Sequence, residues 1–230
     1  MDIRVVTFDI FGTTVDWYTG VADQVAPLLP DVDAGDFAQR WRDRYIPSMN
    51  RVRSRERDWV YLDTLHRESL DDLLRELDVE ADDDTRNQLV RAWHKLPAWP
   101  DSVSGLARIR TRYTTAALSN GGFALLTRLV KGAALPFDCI LSAELAQTYK
   151  PDAAVYHTAA AVLDVAPEQV LMVAAHKWDL VGARAAGLRT AFVNRPQEKG
   201  PDREADRPAD VECDLYANSF LDLATQLDTP

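Results

Sequence analysis

Apolar positions along this chain follow three rhythms, and their order predicts the architecture. The first is brief: Ile3, Val5, Val6 and Phe8 make a nearly continuous apolar run that stops at Asp9. A run of that kind suits a strand buried on both faces of a parallel sheet. The second rhythm fills residues 17–96, where charge, Leu and Trp recur at helical spacing. Within it, Asp36 to Pro47 puts Phe37, Trp41 and Tyr45 on one helical face, four residues apart. Trp59, Leu62, Leu65, Leu70, Leu73, Leu74 and Leu77 mark a second helical stretch, and Thr85 to Leu96 predicts a third helix.

Pro97, Pro100 and Asp101 form a joint, after which strand and helix patterns alternate. Strands are expected at Thr114–Ser119, Cys139–Ser142, Gln169–Ala174 and Thr190–Val193. Helices are expected at Phe123–Gly132, Ala153–Leu163 and Asp179–Ala186, with Ser219–Leu227 closing the chain. The stretch Arg195–Asp210, rich in Pro, Gly and charge, reads as an exposed loop. The pattern predicts an α/β fold, with a doubly wound parallel sheet built from residues 1–16 and 97–230 and an all-helical module, residues 17–96, inserted after the first strand.

Composition narrows the function. With 26 Lys plus Arg against 36 Asp plus Glu, the chain carries a net charge of −10, which disfavours nucleic acid or an anionic membrane as partner. A small anionic substrate remains compatible, because local Arg and Lys reverse the field inside a pocket. Two cysteines, Cys139 and Cys213, are too few and too distant for a disulfide framework or a metal site, so a reducing cytoplasm is expected. The opening Met-Asp-Ile-Arg runs straight into the strand with no apolar leader, and no apolar stretch reaches membrane-spanning length; a soluble, unexported protein is the expectation.

Chemistry-bearing residues gather at strand ends. Asp9 is followed by Ile-Phe-Gly-Thr-Thr, a carboxylate at the edge where open α/β sheets place their sites. Burying such a group without a partner is expensive, so it reads as a nucleophile more readily than as a turn cap. Lys150, extended by the following Pro151, can reach across the strand ends and keep Asp9 ionised. Ser119 and Asn120 meet a Gly-Gly turn, offering donors to an anion or serving as ordinary turn chemistry. Phe11, Tyr45, Trp59 and Trp178 either wall a dry pocket or pack the core.

Four segments, Asp9-Ile-Phe-Gly-Thr-Thr, Ser119-Asn120, Lys150-Pro151 and Ala174-Ala-His-Lys-Trp-Asp179, match in order and spacing the motifs of the haloacid dehalogenase-like superfamily, whose core is Rossmann-like and capped by inserted helices. Trp41-Arg42, Lys150, Tyr156 and Trp178-Asp179 further resemble the type II haloacid dehalogenases, hydrolases of (S)-2-haloalkanoic acids. The resemblance implies Asp9 as nucleophile with Thr13 donating to it, Lys150 as its counter-ion, Asp179 positioning or activating water and Arg42, on the first cap helix, stabilising the departing halide. It further implies Ser119 for the substrate carboxylate and Asn120 for halide, with Phe11, Tyr156, His176 and Trp178 around the substrate. No cofactor or metal is implied, and a homodimer is.

Two positions argue against phosphoryl transfer. Phosphatases of the superfamily carry a second Asp where this chain has Phe11, and a fourth-motif acid where it has Ala175; a phenyl ring donates no proton, and an oxygen cage for Mg²⁺ would lack a ligand. The fourth motif also departs from the dehalogenases, which carry Ser and Asn where Ala174 and His176 stand. His176 brings a titratable ring that lines the halide pocket, helps the water that opens the ester or is merely structural. Three readings stay open: a metal-independent (S)-2-haloacid dehalogenase, fluoroacetate included; a Mg²⁺-dependent phosphatase of the same fold; and a relative with altered or lost activity.

Overall fold

The computed structural model describes residues 2–228, so that Met1, Thr229 and Pro230, the ends of the expected core, lie outside the described residues. Six parallel strands form one sheet: β1 (Val5–Phe8), β2 (Thr114–Ser119), β3 (Cys139–Ser142), β4 (Val170–Ala174), β5 (Arg189–Val193) and β6 (Leu215–Ala217). Their spatial order is β3-β2-β1-β4-β5-β6, the doubly wound order in which the chain reverses direction between β1 and β4. Every residue of β1 and β4 is buried, as the apolar runs require. Val5, Val6, Thr7 and Phe8 pair with Thr114 to Ala117 on one side and Val170 to Val173 on the other. In this register the segments after β1 and β4 emerge side by side at the switch point.

Between β1 and β2 lie six helices: α1 (Trp17–Leu28), α2 (Ala34–Asp43), α3 (Tyr45–Arg53), α4 (Leu62–Glu76), α5 (Asp83–Ala92) and α6 (Ser102–Ile109). Asp16, Asp33 and Asp82 cap α1, α2 and α5 by accepting from the backbone N–H three residues on. The single helix expected over Asp36–Pro47 is two, with Arg44 between them. Pro47 explains the break: its ring would collide with the Asp43 carbonyl, whereas in the first turn of α3 its missing N–H costs nothing. Because α1 precedes α2, Arg42 stands on the second helix after β1, not the first.

The core is completed by α7 (Phe123–Gly132), α8 (Ala153–Val162), α9 (Lys177–Ala185) and α10 (Phe220–Asp228), which follow β2, β3, β4 and β6. Two further corrections concern the C-terminal third. β6 is only three residues long, too short for a periodic signal. The loop expected to be exposed from Arg195 is buried at its start, with Arg195 and Glu198 at 7% and 2% exposure. Arg195 is drawn inward because Asp101 accepts from both its terminal nitrogens, at 2.7 and 3.1 Å, and the Thr13 carbonyl accepts from its Nε at 2.9 Å. Among the described residues no helix is long and apolar enough to cross a membrane.

Candidate active site

Asp9 leaves β1 at the switch point and is 4% exposed. Its Oδ1 lies 3.0 Å from Lys150 Nζ, while its Oδ2 accepts from Thr13 Oγ1 at 2.8 Å and from His176 Nδ1 at 3.1 Å. Thr13 is itself aimed by the Ala175 N–H, which donates to its hydroxyl oxygen at 2.9 Å. Burial alone would raise the Asp9 pKa, but the Lys150 ammonium and the His176 ring outweigh it and hold the carboxyl well below the usual range.

Lys150 precedes α8 and joins Asp9 to Asp179, whose Oδ2 it contacts closely. Its backbone N–H donates to Asn120 Oδ1 at 2.7 Å, which ties the end of β2 to the lysine. Burial opposes the ammonium, yet Asp179 and Asp9 keep its pKa above the ordinary lysine value. Asp179, in the first turn of α9, spends its second oxygen on the Tyr156 hydroxyl at 2.7 Å. Burial, with the negative charge of Asp9 adding, raises the Asp179 pKa against the pull of Lys150. The Tyr156 hydroxyl is thus turned to the carboxylate of Asp179 and supports it from behind.

His176, ahead of α9, carries a contact that no local motif foreshadows. Its Nε2 lies 3.0 Å from Glu198 Oε1, which also accepts from Trp17 Nε1 at 2.6 Å. Between two ionised carboxylates each ring nitrogen carries an N–H, which makes the ring an imidazolium. Burial works against that charge, but Glu198 and Asp9 push its pKa up to about 10. Glu198 in turn is brought down to about 2, burial notwithstanding, chiefly by the charge of His176. Three acids and two bases thus share one buried network, and Arg42 supplies a third positive charge at its rim.

Arg42 lies over the Tyr45 ring at 3.9 Å and the Trp17 ring at 5.3 Å, and its Nη1 is buried without a hydrogen-bond partner among the described residues. Phe11 sits beneath, 5.8 Å from Trp93 and 6.5 Å from Tyr45. Behind these, His66 stacks on Trp93, and burial drives its pKa down to about 3. A cavity of about 380 Å³ opens here, lined by Trp17, Arg42, Tyr45, His176, Trp178 and Glu198 among others. Trp178 stacks on His176. Trp59 packs 4.7 Å from the Tyr149 ring and, like Phe11, is not among the residues that line this cavity. Ser119 accepts from the Gly121 N–H at 3.2 Å, and Asn120 Nδ2 contacts Met49 Sδ of α3 at 3.3 Å, placing the β2 turn under the inserted helices.

The doubly wound sheet with a caged aspartate at its switch point defines an α/β protein whose site is built around a strand-end carboxylate. The model of the haloacid dehalogenase-like hydrolases matches residues 3–187, and the chain belongs to that family. It is 34% identical over 204 residues to (S)-2-haloacid dehalogenase 1 of Pseudomonas sp. (strain CBS-3), covering 85% of this chain and 88% of the relative. The crystal structure of a defluorinating L-2-haloacid dehalogenase is 44% identical and superposes with a TM-score of 0.96 over 99% of this chain and 96% of that one. The L-2-haloacid dehalogenase from Xanthobacter autotrophicus with chloropropionic acid covalently bound is 25% identical, with a TM-score of 0.86 over 99% of both chains.

Proposed function

We propose that the protein hydrolyses the carbon–halogen bond of short (S)-2-haloalkanoic acids through an ester on Asp9, without a metal and with inversion at carbon. The observation that carries this reading is the position of Lys150 Nζ, which bridges Asp9 and Asp179, the two carboxylates that a divalent cation would otherwise claim. An ammonium there keeps the nucleophile ionised and fixes its aim. Halide leaves without a proton, which agrees with a phenyl ring at Phe11. Arg42, whose buried Nη1 has no hydrogen-bond partner among the described residues, offers the charge-assisted contact the departing halide needs. Residues 17–96 act as a cap that brings Arg42 over Asp9. The phosphatase reading is disfavoured by Phe11 and Ala175.

Fluoroacetate belongs among the candidate substrates, supported by the likeness to a defluorinating enzyme and by the bulk of His176 beside Asp9. The test is halide release by chelator-treated protein from chloroacetate, (S)-2-chloropropionate and fluoroacetate. Release from wild type, its loss in Asp9→Asn and formation of (R)-lactate from the chloropropionate are expected. Identical behaviour of the two proteins, or (S)-lactate as product, overturns the proposal.

A further inference from the structure

Opening the Asp9 ester requires a base for the attacking water, and the network offers two candidates on opposite sides of Asp9. Asp179 is fully buried, its two oxygens are engaged by Lys150 and Tyr156, and like Asp9 it stands behind the residues that line the cavity. His176 lines the cavity and touches Asp9, so water arriving from the open side meets the imidazole first. Its far nitrogen is gripped by Glu198, which Trp17 holds in turn. A histidine backed by a buried carboxylate, with its free nitrogen facing an acyl group, is the arrangement of a general base.

We infer that His176 is the base that takes a proton from the water attacking the Asp9 ester, and that Glu198 is its positioning residue. The inference rests on the ester reading above. In the resting protein both ring nitrogens carry hydrogen, one bonded to Asp9 and one to Glu198. Alkylation of Asp9 expels halide and cancels the carboxylate charge, so the Nδ1 proton loses its ionic partner and passes to solvent, accompanying the halide. Water then attacks the Asp9 carboxyl carbon while Nδ1 accepts one of its protons. Collapse of the tetrahedral adduct breaks the bond to the substrate oxygen, and that oxygen takes the second water proton to give the 2-hydroxy acid. Asp9 returns as carboxylate beside an imidazolium, which is the pairing observed. Glu198 keeps the ring oriented throughout and stabilises its positive form.

The experiment compares wild type, His176→Asn and Glu198→Gln with chloroacetate, reading halide in the first turnover and protein mass after acid quench. Both variants are expected to release a burst of one halide per protein and then to slow by about 10²-fold or more, the usual worth of a general base, with the Asp9 ester accumulating. The burst shows that each variant is folded and alkylates. Glu198→Asp is expected to restore part of the steady rate, and the pH–rate profile of Glu198→Gln is expected to lie at lower pH than that of wild type, because the ring loses its carboxylate partner. Unchanged turnover in both variants, loss of burst and turnover together, or ester accumulation in Asp179→Asn but not in His176→Asn overturns the inference. No halide from wild type and no ester in any variant defeats the ester reading itself.

Discussion

Arg42 shows how much one side chain's surroundings decide. Its guanidinium lies over Tyr45 and near Trp17, and its buried Nη1 has no hydrogen-bond partner among the described residues. An unpaired charged donor in such a place is costly unless it has an anion to meet. Lysine cannot replace it, because a compact ammonium neither stacks nor presents a fork. In Arg42→Ala and Arg42→Lys the rate of ester formation is expected to fall by about 10²-fold, with substrate affinity changed far less. Single-turnover alkylation alongside equilibrium binding of a 2-haloacid to Asp9→Asn backgrounds checks this; equal losses in both would make Arg42 a binding group only. Asp9 is legible in the sequence, since an acid ending an apolar run signals itself. Glu198 is not: it stands among Glu204, Asp206 and other charges, and only the folded chain reveals that it is buried against His176.

At the scale of elements, the strands are legible where an apolar run dominates them, as in β1 and β4. Periodicity is local information, and these elements depend on little else. β6 and the α2/α3 break depend on pairing and on one proline, so the pattern blurs there. The turn after β1 is the sharpest case of an element serving the site. Gly12 has φ of +86°, and a Cβ on it would lie 2.5 Å from Glu198 Oε1. Its replacement by alanine therefore carries both a left-handed backbone penalty of about 1–2 kcal/mol and a collision with the residue that grips His176. Gly12→Ala is expected to lower the melting temperature by a few degrees and to accumulate the Asp9 ester as Glu198→Gln does. Wild-type turnover in a folded Gly12→Ala would separate the turn from the dyad.

For the whole molecule the buried network links stability to pH. His176 has a folded pKa of about 10 against an ordinary value of 6.5, so its stabilisation is complete below pH 6.5 and is lost as pH rises through 10. Glu198 behaves in the opposite sense: lowered from 4.5 to about 2, it stabilises above pH 4.5 and fails as pH falls through 2. His66, buried neutral with a pKa of about 3, costs stability only below 6.5. Cys139 and Cys213, whose thiols burial pushes above 9.0, contribute only at higher pH. The interval from about pH 7 to 8 therefore isolates His176. There the folded protein holds about one proton more than the unfolded chain, and linkage gives a loss of about 1.4 kcal/mol per pH unit. Denaturant unfolding of wild type across that interval is expected to show this decline, and His176→Asn a nearly flat profile. A flat wild-type profile would mean that the imidazole is neutral in the resting protein, with Asp9 or Glu198 carrying the shared proton instead.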